Sequence, residues 1–296
     1  MRMHRRARNP WRILEWVALA LVVGFLAFCG WWRLSGGTWR QVETPSMGEV
    51  APVGSLLWVE PVHVSSLKVG DFITFHPPGN PTQTYSHQIY RIDPQGIVTK
   101  GVIPAPDPWH LTDRDVVGRV AAVWPGVGWI VRAAPVLLIG AILTALVVRF
   151  AGRSWRLPAA VLLGSLTVTV AITWYRPFVN AVQLSFAPTS AGARASYVST
   201  GLLPIRLSAS ERSQALLPGG STVMRDGQVG EVVVHTADDH GRFAVKLSPA
   251  VPLWWWMVLI GVCFMPALWS LVVGLRPVDP VRRARPMIRG SSGIPD

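Results

Sequence analysis

The sequence predicts a membrane α plus β protein, with about four transmembrane helices, an exterior β domain after the first and a second small exterior β unit before the last. Three observations predict it. Four apolar runs of roughly spanning length interrupt the chain, basic residues concentrate beside their ends, and the long connections break into short strand-like segments punctuated by Gly, Pro and Asp. Of the 296 residues 50% are hydrophobic and only 15% are charged, with a mean hydropathy of +0.34. That is more apolar surface than a soluble core needs, so part of it must face lipid. The composition excludes an acidic disordered chain and an ordinary cytosolic enzyme. Cys29 and Cys263 both lie inside apolar runs, which excludes a disulfide framework and a cysteine-rich zinc site.

Taken in order, residues 1–12 form a basic N-terminus and 13–34 the first transmembrane helix, built on the apolar run Leu14 to Trp32. A cleaved signal peptide is the rival reading of this run. Its nearest small-x-small triplet, Ala27-Phe28-Cys29, lies inside the apolar stretch rather than after it, so the helix is expected to be retained. Residues 35–128 read as an exterior β domain with strands Ser55 to Glu60, Asp71 to His76, Ser86 to Ile92, Ile97 to Lys100 and Val116 to Trp124. The second and third helices, 129–148 and 157–175, flank the short basic link 149–156, a spacing that suits an antiparallel hairpin. Residues 176–250 form the second exterior unit, with strands Ala181 to Phe186, Ala195 to Thr200 and Leu203 to Ser208, and a hairpin joining Glu231–His235 to Arg242–Leu247. Residues 251–275 form the fourth helix and 276–296 a basic tail. Pro135, Pro158 and Pro266 fall in or near these runs, which membrane helices tolerate when neighbours satisfy the freed backbone groups.

Orientation follows from the basic residues at the span ends. Segments 1–12, 149–156 and 276–296 hold 13 Arg and 2 acidic residues in 41 positions, whereas 35–128 and 176–250 hold 13 basic and 13 acidic residues in 169. The first group is therefore expected in the cytoplasm, with both termini, and the second outside a plasma membrane. The net charge of +12 is thus topological: its partner is the anionic lipid bilayer rather than nucleic acid. Trp11, Trp31, Trp32, Trp129, Trp174 and Trp254 to Trp256 sit at span ends and read as interfacial anchors. The stretch His235 to His240, with Asp238 and Asp239, reads as a hairpin turn rather than a metal cluster, and no cofactor is called for.

The chemistry lies in the first exterior segment. Thr44-Pro45-Ser46-Met47 is followed by Gly54-Ser55, then Val69-Gly70-Asp71-Phe72-Ile73-Thr74-Phe75, then Ser86-His87-Gln88-Ile89. Thr99-Lys100-Gly101 with a downstream Asp107, and Asp115-Val116-Val117-Gly118-Arg119-Val120, complete the order. Over about residues 14–130 this resembles signal peptidase I, in the endoplasmic-reticulum-type Ser/His branch that also occurs in prokaryotes. The chain departs from that pattern at Glu49 (usually Pro), Ser55 (usually Asp), Gln88 (often Arg) and Val102 (usually Asp).

The resemblance implies a signal-peptidase-like β catalytic domain and a membrane-bound serine endopeptidase that removes signal peptides from exported preproteins, in association with the secretion machinery. It makes Ser46 the nucleophile, and a serine hydroxyl needs an adjacent base. His87 is that base, ahead of His63, His76 and His110. A lysine base is disfavoured, because Lys68, Lys100 and Lys246 are the only lysines and none falls at its position. Asp107 is the acidic partner, with Asp113 and Asp115 as alternatives and a plain turn Asp before Pro108 as the competing reading. The Ser46 N–H and the Thr44 hydroxyl form the oxyanion hole, with Thr44 held extended by Pro45. Leu57, Trp58 and Phe72 are candidates for the substrate groove or equally for strand core. The alternative function is a catalytically impaired, membrane-anchored relative that acts as an extracellular binding module. A transport role is disfavoured, because no ionisable residue falls near a span centre.

Overall fold

The computed structural model describes residues 10–152, 155–190, 192–237 and 241–265. The basic N-terminus up to residue 9, the turn residues Asp238 to His240 and the tail 276–296 lie outside the described residues, as does the last part of the fourth apolar run. The protein is mixed α and β with antiparallel sheets, and it divides into two compact units, Met1–Ala134 with Ile172–Pro252, and Pro135–Ala171 with Leu253–Asp296.

In the first unit, helix α1 (Pro10–Leu34) leads into a six-stranded sheet. Its strands are β1 (Thr38–Gln41), β2 (Leu56–Glu60), β3 (Phe72–Phe75), β4 (Tyr85–Asp93), β5 (Gly96–Lys100) and β6 (Val116–Trp124), in the order β1-β2-β6-β3-β4-β5. All five expected strands are present within a few residues of their expected ends. Strand β1 is an addition: four residues, Thr-Trp-Arg-Gln, carry too little alternation to be read as a strand. They pair because β2 offers them an edge, in the register Thr38↔Val59 to Gln41↔Leu56.

Two apolar clusters share this sheet. One gathers Leu67, Ile73, Phe75, Ile89, Ile97 and Leu111, and the other Val42, Met47, Ala51, Leu57 and Val59. Strand β3 serves both, sending Ile73 and Phe75 to the first and Phe72 to the second, as alternation along a strand requires.

The second β lobe contains β7 (Ala181–Thr189), β8 (Gly192–Ser199), β9 (Ile205–Ala209), β10 (Ser221–Met224), β11 (Val229–Val234) and β12 (Val245–Pro249). They form two three-stranded sheets, β11-β8-β7 and β10-β9-β12, around a core of Ala195, Ile205, Leu207, Met224 and Val232. This corrects the expected hairpin. β11 pairs with β8 and β12 with β9, so the two strands lie in different sheets although they follow one another in sequence. The physical reason is burial: Val232 and Val234 of β11 face the core against β8, while Leu247 of β12 lies opposite Leu207 of β9. A short helix, α4 (Arg212–Ala215), follows β9.

Three further helices are apolar: α2 (Val127–Phe150), α3 (Arg156–Tyr175) and α5 (Leu253–Cys263). Among the described residues, α2 and α3 are the two long and apolar enough to cross a membrane. Pro135 lies inside α2, which continues through it. In the second unit, the Ser165 hydroxyl donates to the Cys263 carbonyl, tying α3 to α5.

The tryptophans divide into two groups. Trp31, Trp174, Trp254 and Trp256 are exposed, in keeping with interfacial anchoring. Trp129 departs from that expectation: it is 8% exposed and packs over Gly54, whose φ of +86° and missing Cβ leave room for the indole. Trp32 also turns to the β domain, joining Phe28, Trp39 and Trp124 around Trp58, at ring-centroid distances from Trp58 of 5.3 to 6.4 Å. This cluster fixes the end of α1 to β2 and β6.

Trp58→Ala is expected to lower the unfolding free energy by about 2–3 kcal/mol, a half-buried aromatic's share of a large-to-small cost. The readout is the thermal midpoint of the detergent-solubilised protein. Retention of the wild-type midpoint would show that the cluster does not hold α1 to the sheet.

Candidate active site

The turn that carries Ser46 is built by three neighbouring residues with different tasks. Thr44 is extended (φ −118°, ψ 150°), as a residue before proline must be, and Pro45 opens a single 3-10 turn, Pro45–Met47. Met47 is buried among Val42, Ala51, Leu57 and Val59, which anchors the turn from below. Ser46 is left half-buried at the surface of a cleft of about 620 Å³, with its backbone N–H among those that the start of a helical turn leaves without an internal partner.

His87 reaches the same place from β4. It lies opposite Ile73 of β3, so its ring falls on the face that carries Phe75 and Tyr85, which pack beside it at centroid distances of 6.1 Å each. The side chain is only 4% exposed. Its Nε2 lies 3.0 Å from the Ser46 Oγ and its Nδ1 2.7 Å from Asp107 Oδ2.

Asp107 comes from the loop that follows β5, and that loop runs back along the strand through the bridges Lys100↔Pro106 and Ile97↔Leu111. Between those bridges the Asp107 N–H donates to the Thr99 carbonyl (2.8 Å), and the Thr99 hydroxyl donates to Asp107 Oδ2 (2.6 Å). Thr99 is fully buried.

These contacts assign the protons. An ionised carboxylate only accepts, so His87 Nδ1 carries the hydrogen that faces Asp107. In the neutral ring Nε2 is then a lone pair, and the Ser46 hydroxyl donates to it. Serine, imidazole and carboxylate are hydrogen-bonded in a line that can draw the proton from Ser46 Oγ and stabilise the imidazolium that results. Thr44 Oγ1 stands 3.4 Å from Ser46 Oγ, on the same rim of the cleft.

Other sequence candidates lie elsewhere. His76 Nδ1 is bonded to the Gln83 carbonyl, His110 Nε2 lies 3.4 Å from Asp93, and His63 precedes the turn Val64–Ser66. Asp115 accepts from the Thr112 N–H and hydroxyl, and Asp113 is exposed. Lys100 Nζ sits over the Tyr90 ring at 5.7 Å, and Lys68 lies ahead of β3, where its backbone N–H donates to Asp71 Oδ2.

Of the groove candidates, Leu57 lines the cleft. Trp58 and Phe72 do not: successive strand residues face opposite ways, so Trp58 turns to the aromatic cluster, and Phe72 packs on the core that holds Met47. Sequence reasoning gave no role to Thr99, although the Thr99-Lys100-Gly101 motif held it. Its signal was a β-branched hydroxyl residue that follows the apolar pair Ile97-Val98.

Two of the departures from the family pattern have visible settings. Ser55 is fully buried with no partner for its Oγ among the described residues, a slot where an ionised carboxylate would be costly. The segment that contains Val102 still holds the turn that carries Ser46, because the Ile103 N–H donates to the Ser46 carbonyl at 3.0 Å. No family model matches the chain, and no curated protein matches it either.

The turn also touches the second β lobe. A Cβ on Gly227 would collide with the Gly48 carbonyl, so the two backbones meet directly, two residues past Ser46. Beside this contact, burial raises the Asp226 carboxyl to about 6 against the lowering effect of the Gly227 N–H. Its Oδ1 has no partner among the described residues.

Because the folded state favours protonated Asp226, its stabilising contribution is complete below the ordinary value of 3.8 and is lost as pH rises through about 6. The carboxyl is part-exposed, so the swing is of order 1 kcal/mol after screening. Asp226→Asn should flatten the thermal midpoint between pH 4 and 6 and raise it at pH 7. A variant with the wild-type pH profile would remove Asp226 as its cause.

Proposed function

We propose that this protein is a membrane-bound serine endopeptidase of signal-peptidase type that cleaves exported preproteins at the outer face of a plasma membrane. The observation that carries this reading is the line Ser46 Oγ, His87 Nε2 and Nδ1, Asp107 Oδ2, with contacts of 3.0 and 2.7 Å. The order of motifs in residues 14–130 supports it from the sequence side. Four membrane helices, with both termini cytoplasmic and both β lobes outside, are part of the proposal. The two membrane-length helices α2 and α3 and the basic flanks support that topology. The binding-module alternative gives no reason for the hydrogen-bonded triad.

The cleft beside Ser46 is walled by the chain from Trp39 to Thr44 on one side and Thr82 to Ser86 on the other. β1 is an edge strand, so an extended substrate can pair along it and present its carbonyl to Ser46. Ser46 Oγ attacks the scissile carbonyl carbon as its proton passes to His87 Nε2. The tetrahedral oxyanion is received by the Ser46 N–H and the Thr44 hydroxyl. Collapse breaks the C–N bond, the His87 imidazolium returns its proton to the departing amine, and an acyl-Ser46 ester remains. Water, deprotonated by His87, then releases the acid and restores the serine. Through these steps Asp107 holds the ring and its tautomer, and Thr99 holds Asp107.

Reconstituted protein with a preprotein substrate tests this. Ser46→Ala and His87→Ala should each remove cleavage, and Ser46→Ala should also abolish labelling by a serine-directed fluorophosphonate. Asp107→Asn should lower kcat by about 10²–10⁴-fold through the wrong imidazole tautomer. Thr99→Val should lower it about tenfold, the worth of one hydrogen bond to a charged group. Cleavage at the wild-type rate by Ser46→Ala or His87→Ala would overturn the mechanism.

A further inference from the structure

A second cavity lies within the first unit, with Glu43 and Pro45 of the chain around Ser46 in its wall. It encloses about 270 Å³ where the start of α2 and the end of α3 meet the β lobes. Two opposite charges line it, Arg132 from α2 and Glu43 from the stretch after β1. Neither forms an ion pair with the other or with any described residue. The Arg132 guanidinium instead lies over the Tyr175 ring at 5.6 Å.

The lining also holds a buried polar group without a partner among the described residues: Thr200 is 2% exposed with an unbonded Oγ1. Buried polar groups are nearly always satisfied, so unpartnered ones in a cavity wall mark a place where a ligand or water completes the bonding.

We propose that this cavity binds a zwitterion that carries a phosphate and a primary ammonium a few ångströms apart, the chemistry of an ethanolamine phospholipid head group. Arg132 supplies a guanidinium fork matched to phosphate oxygens, with the Thr200 hydroxyl as a further donor. Glu43 accepts from the ammonium, and Trp174 offers a further aromatic face to the same cation. A simple anion would leave Glu43 opposed to it, and a simple cation would be opposed by Arg132. Only a ligand with both charges answers both walls. Ile130, Val131 and Trp174 are exposed on the flanking helices, so acyl chains have an apolar surface to follow away from the head group. The inference does not rest on protease activity.

The test uses the full chain in detergent with short-chain dihexanoyl phosphatidylethanolamine, dihexanoyl phosphatidylglycerol and free phosphoethanolamine as separate calorimetric titrants. Saturable binding of the ethanolamine lipid, at least tenfold tighter than the glycerol lipid, is expected. Arg132→Gln and Glu43→Gln should each weaken it at least tenfold. Free phosphoethanolamine that binds as tightly as the lipid would keep the site and assign it a soluble zwitterion. Equal affinity for the two lipids, or unchanged binding in either variant, would overturn the proposal. Arg132 and Glu43 are both exposed, so either variant is expected to fold and carries the test on its own.

Discussion

A single carboxylate oxygen organises the candidate site. Asp107 Oδ2 receives both the Thr99 hydroxyl and the His87 Nδ1–H, and the group is almost wholly removed from solvent. In that setting the orientation of Asp107 is not free: one donor comes from β5 and the other from β4, so the sheet fixes the carboxylate and the carboxylate fixes the ring. Only then does Nε2 face Ser46 with its lone pair. Loss of the β4–β5 register would misplace the serine's partner even with every side chain retained.

The scaffold around this interaction is distributed through the first unit. Met47 fastens the nucleophile turn to one core, Ile73 and Phe75 place the strand opposite His87 over the other, and the Ile103 N–H closes the turn from the far side. The aromatic cluster around Trp58 fixes the end of α1 to the same sheet. For the proposed membrane-bound peptidase, that joint would set the height of Ser46 above the bilayer. The second β lobe joins the scaffold through the backbone contact of Gly48 with Gly227. It therefore supports the site although it supplies none of the reacting groups.

Much of this was legible in the sequence because alternation and apolar run length are local properties. Strands β2 to β6, and the helices α2 and α3, fall close to where those patterns put them. What periodicity does not encode is partnership. Two strands adjacent in sequence, β11 and β12, join different sheets, because the side chains they must bury find their complement on β8 and β9. For the same reason an apolar strand residue can be assigned to a face only after its neighbours are known, which is why Leu57 reaches the cleft and Trp58 does not. Ser46, His87 and Asp107 could be nominated because the order of motifs along the chain resembles that of signal peptidase I. The role of Thr99 depends on a loop that folds back over its own strand, a relation that one-dimensional spacing does not carry.

The meeting of Gly48 with Gly227 has a consequence for biogenesis. One half of the contact is made early in synthesis, whereas the other half emerges only after both membrane-length helices and most of the second lobe have been translated. At ordinary ribosomal speeds that interval is on the order of ten seconds or more. The nascent chain thus lacks this backbone buttress until most of the second lobe has been translated, and the loop that bears Ser46 acquires its final support late in synthesis.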